Sequence, residues 1–261
     1  MKQIGIGVIG WGFMGRTHTF SIKTMPLHYN LDFEPRLIGI CSRRLEKAEQ
    51  AAREQGFKYA TDDYHKLLAD PEIDVVSICT PNNLHEQMAL DAIAAGKSVY
   101  IDKPLSINYE SARRIADAAR AAGVKAQLAL NNRFFPSTML AHELVTSGKL
   151  GRVTSFSAEY LHSGSVDPNR PIGWKQDYDA CGGGVLLDLG SHALDLVIWM
   201  CGKVDSIDCI TQTLYSERPT AGGGRTSNLG EDRALMLLQL ENGAAGTVDA
   251  SKIATGTDDE L

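Results

Sequence analysis

The sequence predicts an α/β fold in two parts: a doubly wound parallel sheet over residues 1–126 and, over residues 127–261, an α+β domain on an open, mostly antiparallel sheet. Three observations point there. Short β-branched runs alternate with longer alanine-rich stretches up to about residue 125, the pattern of right-handed βαβ units. A glycine-rich turn closes the first of those runs, and beyond residue 130 the order of elements changes.

Strands are expected at 4–9, 36–41, 74–79, 98–101 and 125–130, whose near-continuous apolar character suits a sheet covered on both faces. Between them Met88, Ala89, Ala92 and Ile93 recur at helical spacing before Gly96. Ala112, Ile115, Ala116 and Ala119 do the same before Gly123, and each glycine stands where a helix should end. The second part reads as a helix at 135–147, a strand at 153–161, a glycine-led helix at 185–200 and strands at 204–215, 233–240 and 244–253. Residues 216–230, with Ala221-Gly222-Gly223-Gly224, read as a mobile loop.

In 261 residues, 43% hydrophobic and 22% charged content supports one large core or two modest ones and excludes a disordered or fibrous chain. A formal charge of −6 with no basic run gives no electrostatic footprint for nucleic acid or an anionic membrane. The five cysteines (Cys41, Cys79, Cys181, Cys201 and Cys209) are scattered without a C-x-x-C pair, so neither a disulfide framework nor a zinc site is expected and a cytoplasmic location fits. Residues 3–15 form the longest uncharged run near the start and are too short and glycine-broken to span a membrane. A small-molecule partner is therefore expected.

Gly10-Trp11-Gly12-Phe13-Met14-Gly15 follows a full strand's length and precedes a helix-like stretch, so its backbone N–H groups, Phe13 and Met14 included, can meet a pyrophosphate. Gly5, Gly7 and Gly10 also fit G-x-G-x-x-G but lack that context. A dinucleotide-binding Rossmann domain follows. At the end of the second strand, Cys41-Ser42-Arg43-Arg44 stands where an acid accepting from the ribose 2′-hydroxyl is expected. A hydroxyl and two guanidinium groups instead suit a 2′-phosphate, so NADP is expected in preference to NAD. Thr80-Pro81-Asn82, with His85, and Asp102-Lys103-Pro104 follow later strands at the sheet edge where ligands of open α/β folds sit, which places the Lys103 ammonium at a cofactor's reactive ring.

In the second part Gly182-Gly183-Gly184 leads to Asp188 and His192, four apart on an expected helix and so on one face. They can form an oriented acid/base pair, with the small residues admitting substrate to the backbone. A buried capping pair, or a metal site adding Asp195, are the competing readings; no metal is assigned because no third soft ligand is spaced nearby. Arg133, Tyr160, His162, Arg170, Trp174 and Tyr178 form a polar and aromatic set suited to the wall of a hydroxyl-rich ligand site, with Arg133, Tyr160 and Trp174 taken with Lys103 and His192 as its substrate contacts. No Tyr has Lys four residues later, which disfavours short-chain dehydrogenase chemistry.

Together these features resemble the glucose-fructose oxidoreductase and inositol dehydrogenase (Gfo/Idh/MocA) family over nearly the whole chain. The resemblance implies an NAD(P)-dependent oxidoreductase moving hydride between nicotinamide and a secondary alcohol of a sugar, cyclitol or related polyol. It gives Lys103 contacts to substrate and nicotinamide, Asp188 the part of orienting carboxylate and His192 that of proton acceptor. It sets Thr80-Pro81-Asn82 with His85 along the nicotinamide. Ser42 departs from the ribose-binding acid of many members. Members also continue for tens of residues past position 261, so the second domain is expected to be incomplete, with a homo-oligomer forming through its sheet in a complete chain. A redox-assisted glycosidase retaining its cofactor, and a cofactor-sensing regulator, are the alternative readings.

Overall fold

Valine, isoleucine and glycine make β1 (Lys2–Ile9) a strand that can be buried on both faces, and its last five residues are. In the computed structural model, which describes residues 1–261, α1 (Phe13–His28), β2 (Phe33–Cys41), α2 (Leu45–Gln55), β3 (Tyr59–Thr61), α3 (Tyr64–Ala69) and β4 (Val75–Ile78) follow. Then come α4 (His85–Ala94), β5 (Ser98–Asp102), α5 (Tyr109–Ala122) and β6 (Ala126–Ala129). The six strands lie in the order β3-β2-β1-β4-β5-β6, all parallel, the doubly wound arrangement in which chain order reverses between β1 and β4.

The two-residue side-chain period sorts the core. Ile6, Val8 and Ile40 pack on Ala48 and Ala51 of α2, while Ile9, Ile78 and Ile101 pack with Ala89, Ala92 and Ile93 of α4 and Ile115 of α5. The short β3, absent from the sequence expectation, pairs only Gly39–Cys41 of β2; three residues carry no readable alternation. The chain divides into two units, Met1–Ala129 and Leu130–Leu261. The division falls three residues after the expected 126/127 boundary because β6 pairs with β5 and belongs to the first sheet.

The second unit comprises α6 (Pro136–Thr146), β7 (Ser155–His162), α7 (Tyr178–Cys181), a π-helical turn (Leu186–Gly190), α8 (Ser191–Cys201), β8 (Val204–Gln212), β9 (Glu217–Pro219), β10 (Arg225–Ser227), β11 (Arg233–Leu240), β12 (Ala245–Ser251) and β13 (Asp259–Glu260). Its five-stranded sheet runs β13-β7-β12-β11-β8, antiparallel except for β7 with β12. In β11 Ala234, Met236, Leu238 and Leu240 are buried under Val185, Leu189, Ala193 and Val197, whereas Leu235 and Leu237 point out and are exposed. Truncating Met236 or Leu238 to Ala should cost about 2–5 kcal/mol. The stretch Tyr178–Cys201 is long and apolar enough to cross a membrane by length and composition, and here its apolar side is the core of this unit.

Residues 216–230 correct the expectation of a mobile loop. β9 and β10 form a hairpin anchored by Arg218, whose side chain is 1% exposed, 3.7 Å from the Asp232 carboxylate. Its Nη1 and Nη2 donate to the Asp167 and Ser165 carbonyls at 3.1 and 2.6 Å. A buried arginine with these partners orders a segment whose composition suggests otherwise.

Candidate active-site residues of the two units

In the first unit, Gly10 takes a positive φ of 101°, and a Cβ there would lie 2.4 Å from the Cys79 carbonyl oxygen. A Cβ on Gly15 would lie 2.0 Å from the Gly10 oxygen, so the third glycine sets how closely α1 can approach the turn. A Cβ on Gly12 would meet nothing within 4 Å. Gly12 is the N-cap residue of α1; it supplies no side-chain cap, and no acidic residue sits in the first turn. The helix start thus presents backbone N–H groups toward open space, the donor set a pyrophosphate needs, and the residues present fit a dinucleotide. Phe13 is exposed and Met14 half-buried beside it.

β4 and β5 are neighbours, so Thr80-Pro81-Asn82 and Asp102-Lys103-Pro104 leave the same edge of the sheet. His85, fully buried, joins them: its Nδ1 lies 3.0 Å from the Pro104 carbonyl oxygen and its Nε2 2.9 Å from that of Thr80. A ring without exposed surface and with both nitrogens on backbone carbonyls ties the two loops together. Asn82 and Asp102 are also buried, and Asp102 Oδ1 accepts the Lys103 N–H at 2.9 Å. Beneath them lies a cluster the sequence reading missed. His18 Nδ1 is 2.8 Å from Ser77 Oγ and 3.2 Å from Cys79 Sγ, and the His18 ring is 5.0 Å from that of Tyr100. Burial holds His18 below the usual imidazole range, opposed by Asp102, and lifts the Asp102 carboxyl, opposed by His18. Burial likewise pushes the Cys79 thiol up to about 12.

Ser42 follows the end of β2 and donates its N–H to the Thr61 carbonyl at 3.1 Å; Arg43 and Arg44 are exposed, with Arg44 the N-cap residue of α2. The Cys41 thiol is raised to about 11 by burial and then by the nearby Asp63 and Asp62 carboxylates.

In the second unit the glycine run meets its own chain. Gly184 N–H donates to the Glu231 carboxylate oxygens at 3.1 and 3.0 Å, Leu186 N–H to Oε1 at 2.9 Å and Val185 N–H to the Glu231 carbonyl at 2.8 Å. A Cβ on Gly184 would lie 2.3 Å from that carbonyl oxygen. The small residues admit Glu231, which corrects the expectation that they admit substrate. The π-helical turn then widens the backbone around Asp188, and His192 sits in the first turn of α8. The regular α-helical spacing expected between them is therefore interrupted, a feature π turns often mark at functional sites.

The Asp188 carboxylate, 15% exposed, takes Lys175 Nζ at 3.0 and 3.2 Å and Lys252 Nζ at 3.0 Å. His192 is buried, with its ring 5.9 Å from that of Tyr160. Burial and then Asp259 push the Tyr160 hydroxyl up to about 12, so it stays protonated and can donate. Burial, reinforced by Asp188, pushes the Cys181 thiol up to about 11. Arg133 grips Asp195 through Nε and Nη2, and its guanidinium lies 5.5 Å from the Trp199 ring centre. Asp195, weighed above as a third metal ligand, is thus taken by Arg133. Trp174 is half exposed, its carbonyl accepting the Cys181 thiol at 3.1 Å. His162 and Arg170 both bind the backbone of Gly164, which ties them to their own loop. Lys175 and Lys252 escaped the sequence reading because a lysine pairing across 13 or 64 residues leaves no local signal.

The family model described as "Oxidoreductase family, NAD-binding Rossmann fold" matches residues 4–130, and that described as "GFO/IDH/MocA C-terminal domain" matches residues 138–261. Levoglucosan dehydrogenase of Pseudarthrobacter phenanthrenivorans is 33% identical over 270 residues, covering 98% of this chain and 69% of the relative. Myo-inositol 2-dehydrogenase of Thermotoga maritima is 28% identical over 250 residues, covering 95% and 69%. Among solved structures, levoglucosan dehydrogenase in complex with NADH and levoglucosan superposes with a TM-score of 0.95 at 32% identity, covering 99% of this chain and 69% of that one.

Proposed function

Because the chain belongs to the GFO/IDH/MocA family of NAD-dependent sugar and polyol oxidoreductases, we propose that it oxidises a secondary hydroxyl of a levoglucosan- or inositol-like ring through Lys103, Asp188 and His192. The observation that carries this is the glycine turn, whose second glycine faces open space at an uncapped helix start. Nicotinamide supplies the hydride acceptor when bound. Lys103 donates to the hydroxyl oxygen and steadies the negative charge as its proton leaves; His192 takes that proton; Asp188 holds the imidazole for the transfer. The acid/base part contributes roughly 10²- to 10⁴-fold. Tyr160 and Trp174 offer an amphipathic wall for a hydroxyl-rich ring, and Arg133 fixes α8 through Asp195.

The same reading assigns pyrophosphate contact to Gly10, Gly12, Phe13, Met14 and Gly15, and the nicotinamide side of the cofactor site to Thr80, Pro81, Asn82, Asp102 and Lys103, with His85 holding the loops that carry them. Ser42, Arg43 and Arg44 are read as favouring NADP, each well-formed phosphate contact being worth roughly 1.5–3 kcal/mol. Asp62 and Asp63, near the Cys41 thiol, would serve NAD instead. Titrating NADPH and NADH decides between them: tighter NADPH, selectively weakened by Arg43→Ala or Arg44→Ala, supports the arginines, and tighter NADH supports the acids. The exposed Leu235, Leu237 and Ile210 on the outer sheet face support a homo-oligomer, which Leu237→Lys should dissociate in light scattering. The free cysteines fit a cytoplasmic location.

The reaction itself is tested by incubating the protein with NAD or NADP and a panel headed by levoglucosan and myo-inositol, following reduced-nicotinamide absorbance. Turnover abolished by His192→Ala and Lys103→Ala, with cofactor affinity retained, is the expected result. Turnover untouched by both substitutions would overturn the residue assignment.

A further inference from the structure

A cavity of about 520 Å³ opens in the second unit, walled by two segments far apart in sequence. One is the 3₁₀ turn Trp174–Gln176 with the start of α7, which contributes Trp174, Gln176, Asp177, Tyr178 and Asp179. The other is β10 with the residues after it, which contributes Thr226, Ser227 and Leu229. Both walls are held by their own hydrogen bonds. Gln176 Oε1 accepts the Gly173 N–H at 3.0 Å, and Asp177 Oδ1 accepts the Asp179 N–H at 3.1 Å. Ile172 N–H donates to the Pro219 carbonyl at 2.8 Å and so joins the turn to the hairpin that Arg218 anchors. A recess ordered before its ligand arrives has little freedom left to lose on binding.

The lining has a definite chemistry. Trp174 and Tyr178 are 52% and 46% exposed, which leaves aromatic surface where a ligand can cover it. A sugar ring has apolar C–H faces rimmed by hydroxyls. Aromatic rings suit the faces, and the Asp177 and Asp179 carboxylates, the Gln176 amide and the Thr226 and Ser227 hydroxyls suit the rim. The lining holds two carboxylates and neither lysine nor arginine, so a phosphorylated or acidic ring is repelled where a neutral one is not. The volume lies within the range of about 300–1,000 Å³ usual for small-molecule sites. Lys175 stands between Trp174 and Gln176 in the same turn, and its Nζ lies 3.0 Å from Asp188 Oδ1. A single lysine side chain therefore links the wall of the cavity to the Asp188 carboxylate.

We propose that this cavity is a subsite for a neutral sugar ring, the second ring of a disaccharide or glycoside whose first ring is the one oxidised; as regards turnover this rests on the reading of Lys103, Asp188 and His192 given above. Trp174 and Tyr178 cover the apolar faces of the second ring, and the carboxylates and hydroxyls of the lining hold its rim. The substrate class narrows accordingly from single rings to neutral glycosides, with levoglucosan and inositol as one-ring surrogates.

The test compares cellobiose with methyl β-glucoside and maltose with methyl α-glucoside, pairs that share a first ring and differ in the second. At least one disaccharide should show a kcat/KM about tenfold above that of its methyl glycoside, mostly through a lower KM. Trp174→Ala and Ser227→Leu, one from each wall, should each erase that ratio, and Trp174→Phe should keep part of it. Trehalose should exceed trehalose 6-phosphate by a similar factor. Neither disaccharide above its methyl glycoside, a ratio untouched by both substitutions, or trehalose 6-phosphate accepted as well as trehalose overturns the proposal. So does a loss of the native melting transition in both Trp174→Ala and Ser227→Leu, which would make the walls structural. Saturation-transfer NMR of cellobiose and maltose on the full chain with NADH separates this proposal from the catalytic reading. If either sugar binds the unsubstituted chain and neither variant while no sugar is oxidised, the catalytic reading fails and the subsite stands. If levoglucosan is oxidised through His192 and no disaccharide gains over its methyl glycoside, the subsite fails and the catalytic reading stands.

Discussion

Two helix starts in this chain are led by glycine, and they differ in what meets their backbone donors. At the first, Gly10–Gly15 turns the chain from β1 into α1, and neither a side-chain cap nor an acidic residue occupies the first turn. At the second, the carboxylate and carbonyl of Glu231 take the N–H groups of Gly184, Val185 and Leu186. The same rule applies to both: the orphan donors and positive dipole end of a helix start favour an anion. The second finds one in the chain itself, and the first leaves room for one from solution. A glycine run before a helix is therefore not by itself a binding site; the partner of its N–H groups decides.

Substitutions can break that contrast. Gly15→Ala should have the largest effect, about 3 kcal/mol of unfolding free energy, because its Cβ would sit 2.0 Å from a backbone oxygen that has no room to move. Glu231→Ala should cost about 2 kcal/mol by stranding the donors of the second helix start, and denaturant unfolding should show the loss while NADH affinity stays constant. Gly12→Ala reverses the pattern: melting should be unchanged, since its Cβ has open space, while calorimetry shows NADH binding weakened roughly tenfold, about 1.4 kcal/mol. An equal loss of stability in Gly12→Ala would remove the distinction. The smallest effect is kinetic. Cys79, beneath the first turn, and Cys181, just before the second, are buried thiols pushed up to about 12 and about 11, so alkylation of the native protein should be slow and rise about tenfold per pH unit. Saturating NADH should slow labelling of Cys79 further and leave Cys181 as it was.

The elements with the strongest periodicity were the legible ones. β11 was readable to its end residues because Ala234, Met236, Leu238 and Leu240 alternate with outward positions. The Gly10–Gly15 turn was readable from its flanking strand and helix, and so was the placing of Lys103 at the edge of a parallel sheet. What escaped was set by distant partners. The π-helical turn has no composition of its own, and its widening around Asp188 could not be seen in a D-x-x-x-H spacing. Nothing local announces that two carbonyls 19 and five residues away enclose the His85 ring. Arg218 and Lys252 carry no local signal for the same reason: their carboxylate partners lie 14 and 64 residues off.

The Arg218 anchor also makes the hairpin tip separable from its base. Asn228 binds Ser216 and Tyr215 at the root, and Arg218 is locked beneath, while Ala221, Gly222, Gly223 and Gly224 stand exposed beyond the Thr220–Gly224 hydrogen bond. Foreign sequence inserted between Gly222 and Gly223 would lengthen only that tip, at a loop-closure cost of about 0.6 kcal/mol for each doubling of its length. The tip is thus a grafting point, where a short epitope or fluorophore tag could be carried without disturbing the sheet that holds Lys252.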